Sequence, residues 1–175
     1  MIGESSSLLL SRRTGAGLWF APVEHEGNQN SSAEEVERIA EIVETLSAGG
    51  TTWVDQDGNR QPLRLKDILI VAPYNAQVAE LGQRIPGAHV GTVDRFQGQE
   101  APVVICSMTT SSPEEAPHGM EFLYSLNRLN VATSRARCAS ILVANPRLFE
   151  PECRTPRQMQ LANAFCRYVE LAREV

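Results

Sequence analysis

The sequence predicts an α/β domain, a mainly parallel sheet with helices on both faces. Three observations point there. Ile68-Leu69-Ile70-Val71-Ala72, Val103-Val104-Ile105-Cys106 and Ile141-Leu142-Val143-Ala144 are apolar without alternation, as strands buried on both faces must be. Stretches with helical spacing alternate with them along the chain. The length of 175 residues, with 42% hydrophobic and 21% charged residues, fits one domain able to bury roughly two-thirds of its unfolded surface. Ligands on such folds sit beyond the carboxyl ends of the strands. Attention therefore falls on the polar residues after Ala72, Val93 and Cys106, and on a helix over 123–137.

The elements follow in order. Residues 1–17, rich in Ser, Arg and Gly, read as a flexible lead-in, and 18–175 as a single domain. Leu18 to Val23 is a short buried strand. Ser32 lies three residues before Glu35, the spacing of a capping box in which each side chain satisfies a free backbone N–H. Val36, Ile39, Ala40, Val43 and Leu46 then mark a helix with glutamates on its other face, closed by Gly49-Gly50. Thr51 to Leu65, with Asp57-Gly58 at its centre, predicts a surface hairpin. After the strand at 68–72 comes a helix through Val78, Leu81 and Ile85, stopped by Pro86-Gly87. His89 to Val93 is the next strand, and Asp94 to Glu100 a polar loop. A second polar loop spans 109–121, and a helix spans 123–137. Thr155-Pro156-Arg157-Gln158 opens a last helix, running to about Arg173, with an N-cap, a proline at its first position and a capping glutamine.

Composition excludes several classes. Disorder and collagen-like repetition do not fit it, and no apolar run approaches the ~20 residues of a membrane span. Leu8-Leu9-Leu10 is too short for a secretory signal, and its arginines follow it. The expected location is cytoplasmic. The net charge of −5 opposes strong autonomous nucleic-acid binding, which needs cations for phosphate. Cys106, Cys138, Cys153 and Cys166 are widely spaced, as are His25, His89 and His118, so neither a disulfide framework nor a metal site is expected.

Two segments are too particular for ordinary strand ends. One is Val90-Gly91-Thr92-Val93-Asp94-Arg95-Phe96-Gln97-Gly98-Gln99-Glu100. The other is Asn127-Arg128-Leu129-Asn130-Val131-Ala132-Thr133-Ser134-Arg135-Ala136-Arg137. They resemble motifs V and VI of superfamily 1 helicases, in the branch typified by the nonsense-mediated-decay RNA helicase. There the patterns run V-D-x-F-Q-G-x-E and R-L-N-V-A-x-T-R-A-R. Ala72-Pro73-Tyr74-Asn75-Ala76-Gln77 is similar to the P-Y-x-x-Q element of that branch. The resemblance covers residues 18 to about 150 and extends to the helicase part of bacterial proteins that carry a RecB-like nuclease region.

This resemblance implies a RecA-like, P-loop-NTPase-type fold and the second motor domain of an ATP-dependent helicase. It implies Arg135 as the finger that reaches the γ-phosphate of ATP, where a planar fork of donors matches phosphoryl oxygens. Glu100 is implied as the acceptor for the ribose hydroxyls; without the motif it reads as a solvated loop acid. Gly98 lets the backbone approach the nucleotide without a Cβ. Thr92, Asp94 and Gln97 are implied to couple the nucleic-acid strand to the ATP cleft, by contacts that read no sequence. Strand-end capping remains open for Asp94, and Asn75 is either a helix cap or, with Tyr74 and Gln77, on the nucleic-acid side. Arg128, seven residues before Arg135 and so on the same helix face, is expected to brace that face through a carboxylate. Arg137 is expected to be structural. Ser134 replaces the threonine of the pattern and keeps the hydroxyl.

The motor's other half is not visible. A P-loop needs G-x-x-x-x-G-K-[ST], and Lys66, the one lysine, follows Arg64-Leu65. The same lysine fails a PD-(D/E)xK nuclease, which wants an acid where Arg64 stands. Glu114-Glu115-Ala116-Pro117-His118 has the outline of D-E-A-H but lies well past a strand end. The family's Q-Y-R-M stretch is not seen either. The expectation is a domain cut from a larger polypeptide. ATP and Mg²⁺ would be held mainly by the first motor domain, and the partners would be that domain and single-stranded DNA or RNA, with DNA and 5′ to 3′ movement favoured by the resemblance. The alternative is a non-catalytic domain of the same fold that binds a protein partner or a regulatory nucleotide. A Rossmann oxidoreductase fails because Gly15-Ala16-Gly17 has no third glycine.

Overall fold

The computed structural model describes residues 16–96 and 98–175. Of the expected lead-in over 1–17, residues 1–15 lie outside them, as does the site residue Gln97, while Gly17 already opens the first strand. In chain order the strands are β1 (Gly17–Pro22), β2 (Thr52–Val54), β3 (Arg60–Pro62), β4 (Ile68–Val71), β5 (His89–Gly91), β6 (Ala101–Ser107), β7 (Ala136–Ala144) and β8 (Arg173–Glu174). The helices are α1 (Ala33–Ser47), α2 (Asn75–Arg84), α3 (Gly119–Leu123), α4 (Leu126–Ser134) and α5 (Pro156–Leu171). Six strands form one sheet in the order β5-β4-β6-β7-β1-β8, and every pairing in it is parallel. β2 and β3 pair antiparallel as a separate hairpin. The α/β class expected from the sequence is therefore the one observed. Among the described residues no helix is long and apolar enough to cross a membrane.

Strand periodicity sorts the core onto two faces. Ile68, Ile70, Val103, Ile105, Ile141 and Val143 pack with α1 residues such as Ile39 and Val43 and with Leu81 of α2. Cys106, Leu142 and Ala144 face the other way, against Leu123 and Tyr124 beside α3 and Phe165 of α5. Leu69, Val71 and Val104 meet Phe96 and Val131 on that second face. Burial pushes the Cys106 thiol up to about 12, which leaves it inert as a nucleophile.

Three local expectations change. The first concerns α1. Ser32 caps it as the spacing predicts, its hydroxyl accepting from Glu35 N at 3.2 Å. Glu35, however, does not bond back to Ser32. Its carboxylate is fully buried and accepts from the Ser107 hydroxyl at 2.5 Å, Thr109 N–H at 2.9 Å and His25 Nε2 at 3.1 Å. The Ser32 N–H donates instead to Gln77 Oε1 at 2.8 Å. Thr109, with φ 70, lies beyond the end of β6, and its buried N–H needs an acceptor outside the ladder.

The second is the polar loop expected over 109–121, which begins inside the molecule. Thr109, Thr110 and Ser111 are wholly buried. Their polar groups are satisfied inside: Ser111 N donates to Asn28 O at 2.9 Å, and the Thr110 hydroxyl to Gln29 O at 2.8 Å. The third is the helix over 123–137. It is broken at Tyr124-Ser125, and it ends at Ser134 because Ala136 already pairs with Ala101 in the sheet. Tyr124 is drawn into the core, where its hydroxyl donates to Leu148 O. The capping box of α5 forms as expected, with Gln158 accepting from Thr155 N at 3.2 Å.

Glu35→Ala removes one acceptor from three buried donors at once. It should destabilise the chain by about 3–5 kcal/mol in urea denaturation, the cost of breaking a buried charged network. A loss below about 1 kcal/mol, the scale of an exposed ion pair, would show that the network carries little of the fold.

Candidate functional site

The motif residues divide between the two edges of the sheet. Parallel neighbours force this: the segment after β5 leaves the carboxyl edge and must return to the amino edge to enter β6. A turn of 3₁₀ helix over Val93–Phe96 begins the return, with Phe96 buried against the sheet. Gly91 starts it, and a Cβ there would lie 2.5 Å from Arg95 Cδ and 3.1 Å from Arg95 Cβ. The glycine is what lets Arg95 fold over the strand end.

At the amino edge Ala101 of β6 pairs with Ala136 of β7, and Ala101 N donates to Arg135 O at 3.0 Å. Glu100 and Arg135 thereby sit just before the paired starts of two neighbouring strands. Both lie at the amino edge of the sheet, away from the carboxyl ends to which the fold class directs attention. Gly98 has φ 82, a conformation that favours glycine, and a Cβ built on it meets nothing within 4 Å. Glu100 is exposed and accepts from Arg137 Nε at 3.1 Å. Arg137 lies on β7 and not on a helix, which is why its role as the partner of Glu100 was missed; the exposed position in an otherwise half-buried start to β7 is the signal. Arg135 caps the end of α4. Its Nε is buried without a hydrogen-bond partner, and among the described residues no carboxylate pairs with it.

The carboxyl edge gathers a different set. Tyr74 is buried and its hydroxyl donates to Pro117 O at 3.3 Å; burial raises its pKa above the usual phenol value. Asn75 is exposed at the first turn of α2, whose N-cap Tyr74 makes no side-chain cap bond. Gln77 is fully buried, bonded to both backbone groups of Ser32 and to the Ser107 hydroxyl at 3.2 Å. Thr92 is half-buried and Asp94 exposed.

Arg128 does brace its neighbourhood, but without the expected carboxylate. It donates to Phe122 O at 2.7 Å and Leu123 O at 3.0 Å, and its guanidinium carbon lies 4.8 Å from the Phe122 ring centroid. The carbonyl end of α3 takes the place of an acid. Burial pushes this guanidinium below its ordinary pKa, opposed by nearby Cys106, Tyr74 and Asp94. Among the described residues no group of three or more His, Cys, Asp or Glu could hold a metal ion.

Residues 20–147 match the AAA domain family. The chain belongs to that family. This AAA domain is 39% identical over 147 residues to the probable RNA helicase armi of Drosophila melanogaster, covering 75% of the chain and 11% of that protein. It is 32% identical over 140 residues to the DNA replication ATP-dependent helicase/nuclease JHS1 of Arabidopsis thaliana, covering 78% of the chain and 9% of the relative. An uncharacterized ATP-dependent helicase of Caenorhabditis elegans is 31% identical over 121 residues, covering 68% of the chain and 7% of its own length. The AAA domain thus spans about 7 to 11% of these relatives. That they are named as helicases supports the superfamily 1 resemblance of its motifs.

The Glu100–Arg137 pair is exposed, 45% and 40% for the two side chains, so its geometry matters more than its strength. Arg137→Ala and Glu100→Ala should each change stability by about 1 kcal/mol or less. A drop of several kcal/mol in a denaturation curve would make the pair a fold element and not a site.

Proposed function

We propose that this AAA domain is the second RecA-like motor domain of an ATP-dependent superfamily 1 helicase. It forms one wall of an inter-domain ATP cleft and part of a single-strand track. The observation that carries the reading is the Arg135 guanidinium, whose buried Nε has no hydrogen-bond partner among the described residues, near Glu100 at the amino edge of β6 and β7. An unpaired buried donor is costly, and a phosphoryl oxygen is the acceptor that motif VI implies for it.

In this reading Arg135 reaches the γ-phosphate of an ATP seated on the first motor domain. Its fork of donors stabilises the charge that develops on the phosphoryl oxygens in transfer. Glu100 accepts from the ribose hydroxyls, oriented by Arg137, and Gly98 leaves the backbone open to the nucleotide. Mg²⁺ is assigned to the first motor domain with the ATP phosphates. On the opposite edge Thr92, Asp94 and Asn75 face the strand, and the motif assigns Gln97 the same coupling role. Tyr74 and Gln77 act from within, Gln77 by tying α1 and β6 together behind that surface. ATP binding closes the two motor domains and hydrolysis releases them. The substrate is single-stranded nucleic acid, DNA before RNA. The relative named as a helicase/nuclease is in keeping with a parent that joins this motor to a RecB-like nuclease region.

Two measurements test this. The 175-residue chain alone should show no ATP hydrolysis above background, because the phosphate cradle lies elsewhere; robust turnover would overturn the half-site. In a polypeptide that includes the first motor domain, Arg135→Ala should lower kcat by ~10³–10⁵, the usual worth of an arginine finger, with unchanged thermal unfolding. Near-normal kcat would mean that Arg135 is not the finger.

A further inference from the structure

The residues named for the strand track are polar, and they leave the rings at the same edge unexplained. Tyr74, the aromatic member of the P-Y-x-x-Q element, is only 7% exposed and cannot itself offer a face to a ligand. Phe122 of α3 lies against it, ring centroids 5.5 Å apart and planes 31° apart. His118 packs on Phe122 in turn, with centroids 5.3 Å apart and planes at 61°. The rings form a ladder from the interior to solvent. His118 is its exposed rung.

The ladder is held from below. The Tyr74 hydroxyl donates to the carbonyl of Pro117, the residue before His118, at 3.3 Å. Arg128 fixes Phe122 twice, by its bond to Phe122 O and by its guanidinium over the ring. The top rung is different. The His118 imidazole has no hydrogen-bond partner among the described residues, and it makes no side-chain cap to α3. Its backbone sits at φ 65 and ψ 9, and Thr109 of the same edge is the other non-glycine residue with positive φ among those described. Glycine or asparagine would hold this backbone more easily. Strain of this kind collects at ligand-facing positions. A ring is present where local structure does not ask for one.

We propose that His118 forms a stacking platform for an unpaired nucleobase, with Phe122, Tyr74 and Arg128 as its supports. The proposal rests on the reading of the carboxyl edge as the strand track and adds the surface that grips a base. Every base has a π-face, so such a platform is tolerant of sequence. The exposed carboxylates of Glu114 and Glu121 near His118 in sequence repel phosphate, which assigns the rings to the neutral base and leaves the backbone of the strand to the polar residues of α2 and the segment after β5.

The test uses the 175-residue chain and a fluorescein-labelled oligothymidylate at low salt. His118→Asn suits the left-handed backbone and removes the ring. It should weaken binding by about five- to tenfold, the lower range of one lost base–aromatic stack. His118→Tyr should stay within about twofold of the parent, since stacking is restored. Phe122→Leu, which keeps the apolar volume, should weaken binding in the same direction. The slope of affinity against salt should be unchanged in all three, because stacking releases no counterions. With an oligomer carrying 5-iododeoxyuridine, the photocrosslink should fall on the peptide that contains His118 and Phe122. Parent-like binding by His118→Asn and Phe122→Leu, or a crosslink elsewhere, overturns the platform and leaves the strand track standing. A parent chain that binds no strand even at low salt overturns both.

Discussion

The parallel pairing of Ala101 with Ala136 is the constraint on which the candidate nucleotide edge depends. It joins the ends of two motif segments that are remote in sequence, and adjacent strands stand about 4.8 Å apart. Glu100 and Arg137 are placed by that pairing, and Arg135 by that pairing together with its place at the end of α4. The same pairing ends α4, because a backbone committed to the β6 ladder cannot continue as helix. A register irregularity between Ala101 and Val103 sits at this point, and the residue there is Pro102, which has no N–H to give to a ladder.

The opposite edge is organised by a buried carboxylate. Glu35 gathers His25 from the chain after β1, Ser107 from the end of β6 and Thr109 beyond it. The Nδ1 of His25 passes the network on to Ser111 at 2.7 Å, and the Asn145 amide donates to His25 O. Gln77 extends it to α2 through Ser32 and Ser107. A charge so deep is tolerated only because its oxygens are matched by donors. The outcome is a set of loops bound to one another below a surface that remains free to meet a ligand. The two edges then have distinct characters. One carries a guanidinium whose buried Nε has no partner among the described residues and an exposed ion pair, the other a hydrogen-bonded polar interior topped by rings.

Some of this was legible from the residues. Strands buried on both faces announce themselves, because a face-to-face burial requires apolar side chains at every position. The start of α1 at Ser32 and of α5 at Thr155 were legible because a cap is a local bond, closed within a few residues. The motif segments could be picked out as well. The burial of Glu35 was not legible, since a glutamate three residues after a capping serine satisfies the local rule equally well in solvent. The burial of the Thr109-Thr110-Ser111 run within the polar loop was not legible for the same reason. Hydroxyls are polar by composition, and only their partners decide whether they can be buried. Arg128 was expected to need an acid, but two carbonyls and a ring served.

The amino-acid order by itself determined the class of the fold, the starts of α1 and α5 and the identity of the motif segments. Those properties depend on periodicity and on contacts a few residues apart. Only the tertiary structure decided which edge each segment occupies, that Arg137 meets Glu100, that the helix expected over 123–137 breaks, and that His118 rests on Phe122. These depend on strand order and on partners far away in the chain, and a one-dimensional pattern carries no record of which distant donor will find which acceptor.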